Sequence, residues 1–156
     1  MDDVTIARAL HVLAVVHWIG GLAMVTAVIL PAIRRFPEPA RRVALFEAIE
    51  GRFSFQAKLS VTLAGLTGFY MTERLGAWGR FLDPAFWWMH AMVAIWAIFT
   101  LVLFVAEPLV LHRWFAGFAS RDPERALAAV HRAHWLLLSL SAVTIAAAVL
   151  GAHGLL

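Results

Sequence analysis

Arg8-Ala9-Leu10-His11-Val12-Leu13-Ala14-Val15-Val16-His17-Trp18-Ile19-Gly20-Gly21-Leu22 is the stretch on which the reading of this chain turns. After Arg8 it carries no formal charge, so its composition is that of a membrane-spanning helix, yet it sets two imidazoles inside the apolar run. An ionisable ring in hydrocarbon is costly. Such rings usually face protein, where they pair, relay protons or bind a metal. His11, His17, His90, His131 and His134 all lie in such surroundings, whereas His112 and His153 fall at the ends of apolar segments. An interfacial position accounts for those last two.

The rest of the composition agrees. Hydrophobic residues make up 62% of the 156 positions and charged ones 15%, against about 45–50% and about 25% in soluble domains. Mean hydropathy is +0.80. A soluble domain of this length cannot bury so much apolar surface, which places the chain in a membrane. At about 20 residues per span, one domain of four helices fits the length. The absence of cysteine excludes disulfides, thiolate zinc sites and covalent haem attachment through C-x-x-C-H. Any metal therefore falls to His, Met, carboxylate or a cofactor. The net charge of +3 comes largely from loop arginines and reads as topology, not as nucleic-acid binding. No G-x-S-x-G, H-E-x-x-H or phosphate loop is present. The acidic start Met1-Asp2-Asp3 lacks the basic region of a signal peptide, so the first apolar run is expected to stay in the mature protein.

Four spans are expected, at about 4–30, 53–72, 85–106 with an extension to 115, and 123–150. Pro31 marks the end of the first, and Glu107-Pro108 interrupts the third. The basic link from Arg34 to Gly51 either lies on the membrane surface or extends the second helix. That second helix is the least hydrophobic, with Gln56, Lys58, Thr62, Gly65, Thr67 and Gly68. It is expected to sit against its neighbours. Asp122-Pro123-Glu124 supplies the cap, first-turn proline and acidic first turn of the fourth. Arg34, Arg35, Arg41, Arg42 and Arg52 in one link, and Arg113, Arg121 and Arg125 in another, place both links in the cytoplasm. The expected fold class is all-α: an integral-membrane four-helix bundle with both termini on the outer, periplasmic side.

Depth then sorts the histidines. At about 1.5 Å per residue, His11 lies about 10 Å below the outer end of its span and His90 about 6 Å. These two share an outer layer. His17 lies about 20 Å down, level with His134 and, one turn nearer the cytoplasm, His131. His11 and His17 point about 120° apart and do not serve one ion, whereas His131 and His134 share a face. Haem b suits such layers, because imidazoles on facing helices can hold it. Gly20, Gly21, Gly65 and Gly68 offer gaps for a macrocycle; Trp18, Phe69, Trp87, Trp88 and Trp135 offer walls; Arg8 sits one turn from His11 for a propionate. Copper is the rival, since Met89-His90-x-Met92 sets thioethers beside an imidazole. Each feature also has a plain alternative: interhelical hydrogen bonds for the histidines, tight packing for the glycines, an interfacial belt for the tryptophans and core filling for the methionines. Snorkelling accounts for Lys58 and Arg132, and a position near a loop for Glu107.

The run Arg8–Leu22, closed by Pro31 and Arg34-Arg35, resembles the copper resistance protein D (CopD-like) family of bacterial inner-membrane proteins. Arg52-Phe53-Ser54 and Thr67-Gly68 resemble the same family's second helix, so the likeness covers roughly the first 75 residues. The pattern His11, Trp18, Gly20-Gly21, with Trp88-Met89-His90, is also similar to HemJ-type haem-binding oxidases. Those carry a lysine shortly after the third-span histidine, where this chain has Ala91 and Met92. His17 and His134 match neither family. The expectation is a bacterial inner-membrane protein that holds one or two haem b groups through His11 and His90, and through His17 and His134, and moves electrons. Its partners would be membrane lipid, a quinone or redox protein, and a second copy of the chain. The CopD resemblance implies instead a copper-handling permease, and a third reading is a cofactor-free subunit of a larger assembly.

Overall fold

The structure, a computed structural model describing residues 2–155, is almost wholly helical, with no strand among the described residues. Four long helical stretches follow one another: α1 (residues 2–33), α2 (Pro39–Arg74), α3 (residues 87–119) and α4 (Pro123–Ala152). Two short 3-10 segments, Ala77–Leu82 and Pro84–Phe86, join α2 to α3. Three stretches, Asp3–Ile33, Pro84–Ala119 and Pro123–Ala152, are long and apolar enough to cross a membrane. The accessible surface of 9699 Å² exceeds the about 7,800 Å² of a soluble chain of this mass. Much of the excess is apolar: Leu13, Val16, Leu66, Leu109, Leu136 and Val143 are all exposed.

The helices run antiparallel. Asp3 near the start of α1 is bonded to Arg74 at the end of α2, and Trp88 at the start of α3 covers Gly151 at the end of α4. This is the terminal end. At the other, the arginine end, Arg42 reaches Glu124 at 3.1 Å, and all four helices contribute to one apolar cluster of Leu30, Ile33, Phe46, Phe115 and Leu127. Asp122 accepts from Arg125 N at 3.0 Å, so the expected cap of α4 forms.

The first helix does not end at Pro31, as expected, but runs to Ile33, and the third continues through Glu107-Pro108 along the expected extension. A proline removes one N–H and crowds the preceding turn, and widening to π winding relieves both. Val25–Ile29 winds this way ahead of Pro31, and Val102–Leu111 winds this way around Pro108. Both helices therefore continue. The basic link is helical too, because α2 begins at Pro39.

Helix α2 divides by face. Ser54, Ala57, Ser60, Val61, Ala64, Gly65 and Thr67 are buried, while Phe55, Leu59, Leu63 and Leu66 are exposed. Small residues on the inner face let neighbouring helices approach closely. At Gly65 a Cβ would lie 2.7 Å from the indole of Trp96, whose Nε1 donates to Val61 O at 2.9 Å. Gly65→Ala should therefore expel the indole and cost about 1–3 kcal/mol. Gly51→Ala, where nothing lies within 4 Å, should gain about 0.5–1 kcal/mol of helix stability. Unfolding of both variants in detergent checks this; equal stabilities would contradict the packing described.

Candidate functional site

Polar side chains of α1 and α3 find their partners on α2. Tyr70 Oη and Arg74 Nε each donate to Asp3 Oδ2 at 2.9 Å. The His11 ring meets Ala64 and Thr67, His17 Nδ1 lies 2.8 Å from Ser60 Oγ, and Glu107 meets Ser54 and Lys58. From Tyr70 to Ser54 this ladder climbs about 24 Å at helical rise. That length compares with most of a bilayer's hydrocarbon thickness of about 30 Å.

The His11 rung fixes a tautomer. Nδ1 lies 2.9 Å from Ala64 O, which can only accept, and 3.1 Å from Thr67 Oγ1. Thr67 spends its own proton on Leu63 O at 2.6 Å, so it too accepts from the ring. Nδ1 therefore carries the hydrogen, and Nε2 keeps its lone pair. An imidazole anchored through Nδ1–H to a carbonyl is the form in which histidine ligates metals. Gly68 makes room for it: a Cβ there would lie 3.2 Å from His11 Cε1.

The other candidates differ. His90 is exposed and stands edge-on to Phe81 at 5.3 Å. It ends an aromatic row that runs through Trp96, Phe69, Trp78 and Phe81, with centroids 5.4, 6.2 and 6.0 Å apart. His11 lies instead over Gly68, among Ala64 and Thr67 of α2. His17 is exposed beyond its bond to Ser60. His134 Nδ1 lies 2.9 Å from Val130 O of its own helix, which again places the hydrogen on Nδ1. His131 instead ties helices together. Its Nδ1 lies 3.4 Å from Arg34 Nη1, and its Nε2 lies 3.0 Å from both the carbonyl oxygen of buried Thr26 and the Nε1 of Trp135. Arg8 is exposed.

Among the described residues no hydrogen bond or ring contact joins any two of His11, His17, His90 and His134. No group of three or more His, Asp or Glu side chains gathers for a metal there either. Most of the glycine gaps are filled. Phe53 lies over Gly21, Trp96 over Gly65 and His11 over Gly68, and only Gly20 faces open space. The gaps at Gly21, Gly65 and Gly68 therefore leave no room for a macrocycle between the helices. Met89 is buried in an apolar cluster with Trp88 and Ala147, and Met92 packs on it. Those thioethers fill a core. Trp18, 4% exposed, packs edge-to-face on Phe99 at 4.6 Å, and its Nε1 has no acceptor.

Glu107 is the functional candidate that the sequence underrated. It is not next to a loop but inside α3, bonded to two side chains of α2. The signal was present as a carboxylate followed by proline within an otherwise apolar run.

Family models, characterised proteins and solved structures contain no match to this chain. The site must be read from its own geometry.

In protein labelled with nitrogen-15 at histidine, His11 and His134 should both show the neutral Nδ1–H pattern at pH 8. An Nε2–H pattern at His11 would contradict the bonding to Ala64 and Thr67.

Proposed function

We propose that the protein is a four-helix bundle of the bacterial inner membrane, with both termini outside, that binds haem b and transfers electrons. The outward faces support four spans: α2, though less apolar overall, turns Phe55, Leu59, Leu63 and Leu66 outward and its polar groups inward. The carrying observation is the His11 ring, whose Nδ1–H is anchored on the Ala64 carbonyl, leaving Nε2 free to ligate.

His11 and His90 would hold the iron, and the row from Phe69 to Phe81 would lie along the macrocycle. Arg8, exposed one turn before His11, would meet a propionate. Bound haem supplies one-electron redox chemistry, and the protein sets its potential through ligands, hydrogen bonds and burial. His17 and His134 stand as candidates for a second haem, with less support, since His17 is exposed and His134 is bonded within its own helix. Exposure of His90 favours a second copy of the chain, or a redox partner, covering that face. A quinone in the surrounding lipid suits the donor role. The HemJ-type resemblance implies a histidine-bound haem and the CopD-like one implies copper, to which the packing of Met89 and Met92 lends no support.

The purified protein, supplied with haem during expression, should show a Soret band and sharp α and β bands on reduction. His11→Ala should abolish them. His90→Ala should lose the low-spin signature while retaining some pigment. Full spectra from both variants would overturn this ligand pair, and copper without any Soret band would establish the rival reading.

A further inference from the structure

A groove lies open between α1 and α2 towards the arginine end, and it shares no side chain with the His11 and His90 pair. Gly21, Met24 and Ile29 form one wall; Ile49, Arg52 and Gln56 line the other. It holds about 360 Å³, within the about 300–1,000 Å³ of small-molecule sites. The π-wound turn Val25–Ile29 belongs to the first wall, so the groove opens where α1 departs from regular winding.

The α2 wall is sorted by charge. At about 100° per residue, Arg52 and Gln56 share a face. Glu47, Glu50, Ser54 and Lys58 fall on the far side, from which Ser54 and Lys58 reach Glu107. No acidic residue lines the groove. Arg52 and Gln56 are exposed, and among the described residues no hydrogen bond or ion pair engages either side chain.

Depth gives the groove a chemical setting. Arg52 precedes Arg74 by about 33 Å at helical rise, close to the about 30 Å of a hydrocarbon core. With Arg74 at one edge, Arg52 stands at the other, level with the phosphates of the leaflet at the arginine end. Gln56 lies one turn deeper, where a phospholipid carries its ester carbonyls. Past it, the α1 surface is Gly20, Val16 and Leu13, all exposed and apolar.

We propose that this groove binds one anionic phospholipid. The Arg52 guanidinium donates to the phosphate oxygens, the Gln56 amide donates to an ester carbonyl, and an acyl chain lies along Met24 and Gly20. A cation with no carboxylate beside it favours an anionic headgroup over a zwitterionic one, whose own cation it repels. Basic pockets between spanning helices bind anionic headgroups on the same grounds. A neutral quinone draws less from that charge. The site goes beyond the haem reading and stands without it.

Quenching by lipid in mixed liposomes tests this, because the chain has no cysteine and one introduced thiol can carry a bimane. Gly20→Cys, where nothing lies within 4 Å, sets the probe beside the groove. Leu136→Cys is the control: Leu136 is exposed on α4 at a similar depth, since His131 meets Thr26 and the two helices are antiparallel. The liposomes are phosphatidylcholine with equal mole fractions of brominated phosphatidylglycerol or brominated phosphatidylcholine. At position 20 the phosphatidylglycerol should quench with an apparent affinity about fivefold higher, while at position 136 the two should quench alike. Arg52→Gln should remove the preference at position 20, and Arg52→Lys should retain it. Salt at about 1 M should also remove it, which covers failure of the glutamine variant to assemble. Equal quenching by both lipids at position 20, the same preference at both positions, or a preference that Arg52→Gln leaves intact would overturn the proposal.

Discussion

A polar group in hydrocarbon must find its partner within the protein, and helix α2 is where this chain provides those partners. An unsatisfied group there costs several kcal/mol, whereas an interhelical hydrogen bond contributes only about 0.6 kcal/mol on average. The penalty avoided is thus larger than the bond gained. Asp3, His11, His17 and Glu107 are tolerated because Arg74, Ala64, Thr67, Ser60, Ser54 and Lys58 stand opposite them. The low hydropathy of α2 is the consequence of that duty.

The same constraint explains why α2 is built from small residues. Ala57, Val61, Ala64 and Gly65 bring α1 and α3 close enough for Trp18, Leu22, Phe99 and Leu103 to pack on it. Close approach in turn delivers the His11 ring to a backbone carbonyl. A backbone acceptor cannot be exchanged by side-chain motion, so the tautomer is set by the fold itself. Under the proposed function, that rigidity would fix the ligand imidazole of a redox cofactor.

Much of the fold was legible in sequence. The apolar runs, the Asp122-Pro123 cap and the inward role of the second helix followed from composition and from spacing. Pro31 was misread as a helix end because a proline's local rule forecasts a break, and local rules do not include π winding. Gly21, Gly65 and Gly68 looked like empty space from the sequence alone. Their occupants, Phe53, Trp96 and His11, come from other helices at separations that no periodicity encodes. Helical rise orders the histidines along their helices but not around them, so the exposure of His17 and His90 came only with the structure. Glu107 was visible as a residue and invisible as a site, because Ser54 and Lys58 lie about fifty positions away.

The central claim, that α2 turns a partner-supplying face inward and an apolar face outward, has a direct test. The chain has no cysteine, so one introduced thiol is the sole reactive sulfur. In intact membranes, cysteines replacing Phe55, Leu59 and Leu66 should react with a lipid-soluble maleimide, while cysteines replacing Ala57, Val61 and Ala64 should stay protected. Uniform labelling around the helix, or the reverse pattern, would contradict it.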